Sequence, residues 1–269
     1  MKQDHRTQFA QTPEWCTDRQ ARVAELVRTN GSAKVDDLAR LFGVTTQTIR
    51  KDINDMCERG LLRRVHGGVE LATANSDHYE LRRVLNLAAK QRVGHAASLL
   101  IGDDVTLAVS IGTTPELVVA ALSQHKNLRI FSNNLHLAIS AYRFPGARVT
   151  IPEGTLRPSG ADIVGPSAAA FFDRYAFDIG LFGVAAVDAE GALLDLSEED
   201  TLSREAISRN AAKRILVLDG TKFGRKAHVR SGHITDVEHV ICDTRPPKPI
   251  CDQLARAKVD LVICDEAGT

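Results

Sequence analysis

Apolar positions recur with helical spacing on both sides of a glycine in the segment Val35–Asn54. Leu38, Leu41 and Phe42 fall on one face of a first short helix, and Ile49, Ile53 and Met56 follow the i, i+4, i+7 spacing of a buried stripe on a second. Gly43 suits a left-handed cap between them and Thr45 an N-cap. An earlier helix is predicted over Arg19–Thr29, with Ala21, Val23, Ala24, Leu26 and Val27 largely inward and Gly31 as its stop. Downstream, Gly60–Leu71 reads as a tight hairpin with Gly67 and Gly68 as positive-φ turn residues. Three helices followed by a basic hairpin predict a winged helix-turn-helix. Turning the apolar stripe inward forces Thr46, Gln47, Thr48, Arg50 and Lys51 outward, where hydroxyls, an amide and two cations fit the edges and phosphates of a DNA major groove. Arg63, Arg64 and His66 on the hairpin then face the sugar-phosphate backbone, which gives affinity and register without base choice.

From Val105 onward the period changes. Short apolar runs at 105–109, 128–131, 148–151, 179–182, 215–218, 237–241 and 261–263 alternate with helical patterns at 115–122, 135–142, 167–174, 202–210 and 250–257. Strand-helix alternation predicts an α/β domain with a mainly parallel sheet covered on both faces. Between the halves, the small polar stretch 72–78 suits a hinge, and a helical pattern from Tyr79 to Leu100 places Arg82, Arg83, Lys90 and Arg92 on a polar face as solvating charges. The expected organisation is a flexible tail over 1–17, a DNA-binding domain over 18–74, a linker helix over 75–92 and a ligand-sensing domain over 93–269.

Ligands of parallel sheets bind beyond the carboxyl ends of the strands. Ser110-Ile-Gly-Thr-Thr-Pro115 occupies such an end, and Gly112, Thr113 and Thr114 are suited to holding an anion at the positive end of a helix. The same residues also suit a plain capped turn. Asn133 and Asn134 end the next strand with neutral donors and acceptors fit for hydroxyls, or for capping. Gly154 and Arg157 lie on a third strand-end loop, and Lys222 follows a fourth strand within Asp219–Arg225, where it can serve as a point charge for phosphate. Arg157 reads either as a ligand contact or as a solvated loop charge. No Gly-Lys-Ser/Thr phosphate loop and no Gly-x-Gly-x-x-Gly fingerprint occurs, which argues against nucleotide binding.

Composition changes this picture at one point. With 34 Lys and Arg against 34 Asp and Glu in 269 residues the chain is formally neutral, yet Arg40 to His66 holds six Arg and Lys against three Asp and Glu. Salt screens beyond roughly 8–10 Å, so a local basic patch suffices for DNA. The five cysteines are odd in number and never form Cys-x-x-Cys, which suggests reduced thiols with neither disulfide framework nor metal site. No apolar run approaches ~18 residues and no signal-peptide core is present, so a cytoplasmic location without membrane contact is expected.

Thr-Ile-Arg-Lys-Asp-Ile (48–53), Arg-Val-His-Gly-Gly-Val (64–69), Ile-Gly-Thr-Thr-Pro-Glu (111–116), Asn-Leu-Arg-Ile-Phe-Ser-Asn-Asn-Leu (127–135) and Lys-Phe-Gly-Arg-Lys-Ala (222–227) together resemble the DeoR family of bacterial transcriptional regulators. The resemblance implies a sensor domain of the ribose-5-phosphate isomerase-like fold, no cofactor, and a homo-oligomer, dimer or tetramer. It implies repression of a carbohydrate or glycerol-type catabolic operon, with release from double-stranded operator DNA by a phosphorylated sugar or polyol such as glycerol 3-phosphate. Ser110 departs from the family's usual Asp, and Pro152-Glu153-Gly154 from a Gly-Gly turn. The alternative is a sugar-phosphate isomerase-like enzyme, against which stands the lack of a convincing acid/base pair at the strand ends.

Overall fold

The computed structural model describes residues 16–72, 79–157 and 160–264. The chain divides into two units, one over 11–87 and the other containing 88–269.

The first unit is a three-helix head with a small sheet. Helix α1 (Asp18–Asn30) opens on a capping box in which Thr17 and Gln20 exchange side-chain and backbone hydrogen bonds. Helix α2 (Val35–Phe42) ends at Gly43, whose φ of 64° lets its amide reach the Ala39 and Arg40 carbonyls. Helix α3 (Thr46–Glu58) starts at Thr45, whose hydroxyl accepts from the Thr48 amide. Ile49, Ile53 and Met56 are fully buried against Val23, Ala24, Val27 and Leu38, each worth ~1.5–3 kcal/mol of apolar transfer. Leu41 does not join them: it is 59% exposed, and Ala39 takes the inward position instead.

Strand β1 (Ser32–Lys34) pairs antiparallel with β3 (Gly68–Leu71), which pairs with β2 (Leu62–Val65), giving the order β1-β3-β2. The hairpin turn is His66-Gly67, and only Gly67 has a positive φ, 76°. Gly68 is required for a different reason: a Cβ there would overlap the Ala33 carbonyl oxygen and stand 3.1 Å from its carbon.

Two boundary expectations need correction. Cys16 is buried in the head core and Thr17 caps α1, so these two residues belong to the head rather than a tail; residues 1–15 lie outside the described residues, as does most of the expected hinge, 73–78. The single linker helix is instead two. Helix α4 (Tyr79–Val84) places Leu81 and Val84 in the head core with Leu85, while α5 (Leu87–Ser98) places Val93 and Ala97 in the core of the second unit. Asn86, at φ 53°, separates them because a left-handed residue cannot continue a right-handed helix.

In the second unit seven strands form one parallel sheet: β4 (Thr106–Val109), β5 (Arg129–Ser132), β6 (Arg148–Thr150), β7 (Phe177–Phe182), β10 (Ala211–Leu218), β12 (His239–Cys242) and β13 (Asp260–Ile263). Their order, β13-β12-β10-β7-β4-β5-β6, reverses direction between β4 and β7. The helices are α6 (Thr113–Ala121), α7 (Leu135–Ala141), α8 (Pro166–Phe172), α9 (Glu198–Asn210) and α10 (Lys248–Ala257). One core cluster centres on Leu107, Val109 and Val118, another on Phe172, Phe182 and Leu216. A second sheet, unforeseen in the sequence, has the order β11-β9-β8: β8 (Ala186–Val187), β9 (Ala192–Asp195) and β11 (Val229–His233). The buried Arg204 of α9 ties it down through Asp195 and Ser231.

Candidate nucleic-acid interface and ligand site

On the head, Gln47, Arg50 and Lys51 are exposed on α3 while Thr46 and Thr48 are half-buried near its start. Thr48 shares a hydrogen bond with the Thr45 hydroxyl at 2.9 Å, so part of its capacity goes to the helix cap. Arg50 and Lys51 have no ion-pair partner among the described residues. The hairpin cations differ: exposed Arg63 pairs with Glu70 across the strands at 2.5 Å, and Arg64 reaches Asn54 of α3. His66 sits exposed at the hairpin turn. One residue of the helix escaped the sequence reading. Asp52 is buried and accepts from Arg19 of α1 at 2.5 and 3.3 Å, which fixes the rotation of α3 about its own axis.

In the second unit the reversal of strand order falls beside the Ser110–Thr114 loop, the position where parallel sheets open a crevice. Register places residue 110 of the β4 end next to residue 133 of the β5 end, because Val109 faces Ser132. The start of α6 has Gly112 at φ 135° and no side-chain cap, so the amides following it point out of the helix. Pro115 lies over the end of β7, since a Cβ on Gly183 would meet its Cδ at 3.4 Å and the Val217 carbonyl at 3.3 Å. The Thr113 and Thr114 side chains are buried. Ser110 donates to the Ile111 carbonyl and its amide to Leu181, so it is committed to the backbone around it.

Asn133 is 2% exposed; its amide nitrogen donates to the Ile163 carbonyl at 2.8 Å and to Ser203 of α9 at 3.3 Å. Its Oδ1 is buried with no hydrogen-bond partner among the described residues. An unmatched buried acceptor costs ~1–3 kcal/mol. Asn134 behaves differently: its Oδ1 accepts from the Leu137 amide as the cap of α7, so the capping role is the one the geometry supports. The loop carrying Gly154 returns to this strand end, with Ile163 donating to Asn133 and Leu135 to Ala161. Gly154, at φ 143°, stands beside Ile163. Arg157 is a loop clamp: it holds Asp162 with two bonds of 2.9 Å and Asp200 with one of 2.8 Å.

Lys222 is half-buried in a short 3₁₀ turn (Gly220–Lys222) after β10. The turn is capped by Asp219, a buried carboxylate that accepts from the Thr221 amide. Burial opposes ionisation of Asp219, but the charges of Lys222 and Lys90 and the Thr221 bonds outweigh it and hold the carboxyl below its ordinary pKa. Asp243, at the end of β12, accepts from the Gly220 amide at 2.6 Å. Lys90 was expected as a solvated charge and is instead among the buried residues of α5. The signal was present: Lys90, Val93, Gly94 and Ala97 share an i, i+3, i+4, i+7 face. Among the described residues no group of His, Cys, Asp or Glu is arranged to hold a metal ion, and no helix is long and apolar enough to cross a membrane.

Comparison with known proteins decides the family. Residues 19–75 match the DeoR-like helix-turn-helix domain and 85–244 the DeoR C terminal sensor domain. The chain belongs to the DeoR family. Its relatives include the glycerol-3-phosphate regulon repressor of Escherichia coli, 33% identical over 92% of this chain and 99% of the relative. The protein of that name from Haemophilus influenzae is also 33% identical, over 92% and 96%. The HTH-type transcriptional repressor CsqR of Escherichia coli is 32% identical over 92% and 95%. Among solved structures, ribose 5-phosphate isomerase A from Methanocaldococcus jannaschii aligns with 52% of this chain and 56% of its own at 16% identity and a TM-score of 0.38.

Proposed function

We propose that this DeoR-family chain is a transcriptional repressor of a carbohydrate or glycerol-type catabolic operon, released from operator DNA by a phosphorylated sugar or polyol. The observation that carries the DNA half is the exposed face of α3, where Gln47 and two cations without ion-pair partners among the described residues lie opposite the buried Ile49, Ile53 and Met56. Gln47 and Thr48 choose bases while Arg50 and Lys51 hold phosphates, with Arg63, Arg64 and His66 supporting from the hairpin. The names of the relatives, repressors of a glycerol-3-phosphate regulon among them, support the regulatory sign and the operon class. The chain acts as a homo-oligomer in the cytoplasm, where its DNA is.

The ligand half rests on Asn133. A ligand hydroxyl donating to its buried Oδ1 satisfies an acceptor left unmatched among the described residues. Beside it the uncapped start of α6, with Gly112, Thr113 and Thr114, takes the phosphate, and Lys222 supplies countercharge. Ser110 and Gly154 shape the surround. A hundredfold preference of the ligand for the released state, about 2.7 kcal/mol, switches the equilibrium. An isomerase reading finds less support, because the strand-end carboxylates Asp219 and Asp243 accept from backbone amides and Asp219 holds its charge below the ordinary carboxylate range, which makes it a weak proton acceptor.

A footprint on DNA upstream of the protein's own gene tests the DNA half. Protection by the wild type that disappears in Arg50→Ala/Lys51→Ala is expected; equal protection by both would remove α3 from the interface.

A further inference from the structure

The parallel sheet ends on β6, whose far side pairs with no strand among the described residues. The Arg148 amide donates to the Leu128 carbonyl, toward β5. Because successive residues of a strand direct their backbone groups to opposite sides, the amide and carbonyl of Val149 point away from the sheet, and the same alternation turns those of Ile151 outward. An edge of this kind is normally blunted by charge, by proline or by a cover. Here apolar surface flanks it. Of the six large apolar side chains exposed among the described residues, Ile139 and Tyr142 lie along and at the end of α7, Ile151 directly after β6, and Leu156 on the loop that follows. None lies on β13, the edge at the other end of the sheet. Val149 packs into one core cluster with Leu137 and Ala141, so α7 covers the face of the sheet that Val149 shares.

Charge indicates what covers this edge. Register sets Arg148 beside Arg129 of β5; both are exposed, and neither has an ion pair among the described residues. Like charges side by side on a sheet repel, so the pair calls for an acid from outside. Glu153, just past the strand, is exposed and equally without an ion pair among the described residues. A second copy of the chain answers both needs at once. With a two-fold axis at Thr150, β6 pairs antiparallel with itself, and Val149 exchanges two hydrogen bonds with Ile151 of the second copy on either side of the axis. Arg148 then stands level with Pro152 of the second copy and next to its Glu153. The axis is perpendicular to the sheet, so both α7 helices fall on the same face, and Ile139 and Tyr142 of one approach those of the other.

We propose that the chain self-associates through the β6 edge, by antiparallel pairing about Thr150 that joins two sensor domains into one continuous sheet. The inference rests on the homo-oligomer reading above and names the surface that makes it. A contact of this kind is isologous and closes at two copies. It supplies two heads for two half-sites, so weakening the edge also weakens operator binding through loss of the second head.

The test follows the full chain by sedimentation velocity over a dilution series. Ile139→Glu/Ile151→Glu should raise the concentration of half-dissociation about 30-fold or more, as loss of an interface hot spot does. Arg148→Glu and Glu153→Arg should each weaken association, and the double exchange should restore it in part, a recovery that damage to folding cannot produce. Hydrogen exchange reads the wild type alone: the Val149 amide should be slow in the oligomer and fast after dilution to the monomer. Association of wild-type strength in Ile139→Glu/Ile151→Glu, or charge variants that do not compensate each other, overturns the proposal and leaves the homo-oligomer reading standing. Should the variants fail to fold, a Val149 amide that exchanges freely in the wild-type oligomer overturns it by itself. A wild type that is monomeric at every concentration overturns both, and slow exchange of Val149 in that monomer assigns the edge to a segment of the same chain.

Discussion

Removing the two unpaired cations of α3 should change the salt dependence of DNA binding by an amount that the head itself sets. Arg50 and Lys51 are exposed and have no ion-pair partner among the described residues, whereas Arg63 is held by Glu70 and Arg64 by Asn54. Each free cation that meets a phosphate releases a condensed counterion, and the slope of log K against log salt changes by ~0.9 per phosphate. The double variant Arg50→Ala/Lys51→Ala should therefore have a slope shallower by ~1.8 for every head engaged. Between 50 and 200 mM salt this amounts to roughly a twelvefold smaller loss of affinity per head than the wild type shows. Fluorescence anisotropy with a labelled duplex measures both slopes, and unspecific DNA serves for the electrostatic part. A double variant with the wild-type slope would refute the assignment, since two exposed cations on a groove-reading helix cannot be electrostatically silent.

Three further outcomes are expected. Gly68→Ala drives a methyl group into the Ala33 carbonyl and separates β1 from β3; overpacking of this kind costs about 2 kcal/mol, or about 10 °C in the melting of a domain this small, read by calorimetry. Asp219→Asn should destabilise the sensor at neutral pH: a carboxyl held below its ordinary value contributes above that value and loses the contribution as pH falls through the folded one, so urea midpoints of variant and wild type should converge as pH falls below the ordinary carboxylate range. Burial pushes the Cys16 thiol up to about 11 and Cys242 up to about 12, so iodoacetamide at pH 8 should label neither in the native protein and both in urea, as followed by peptide mass.

Much of this architecture was legible from periodicity alone. The seven parallel strands coincide with apolar runs because buried parallel strands are continuous in hydrophobicity, and α3 was readable because its stripe repeats three times with a capping threonine before it. Strand β1 was not, since three residues, Ser32–Lys34, carry no period and acquire strand geometry only by pairing with the hairpin. The β8-β9-β11 sheet was missed for a related reason: its integrity depends on Arg204, a buried cation whose partners Asp195 and Ser231 are distant in sequence. Charge misled more than hydrophobicity did. Lys90 was read as solvated, because charged residues usually are, although it occupies the inward face of its helix, and the burial of Asp52 was not foreseen at all. At the ligand site the sequence indicated Asn133 and Asn134 equally, and only geometry distinguishes a side chain with an unmatched acceptor from one spent on a helix cap.

The central claim is that one chain couples a groove-reading helix to a phosphate-binding strand end. Titrating the phosphorylated ligands into a complex of the full chain with the DNA upstream of its gene, by anisotropy, tests it most directly. At least one small organic phosphate should release the DNA in the wild type. It should release none from Asn133→Leu, which removes the buried acceptor. A complex that stays intact under every ligand, or one that dissociates equally in Asn133→Leu, would contradict the account.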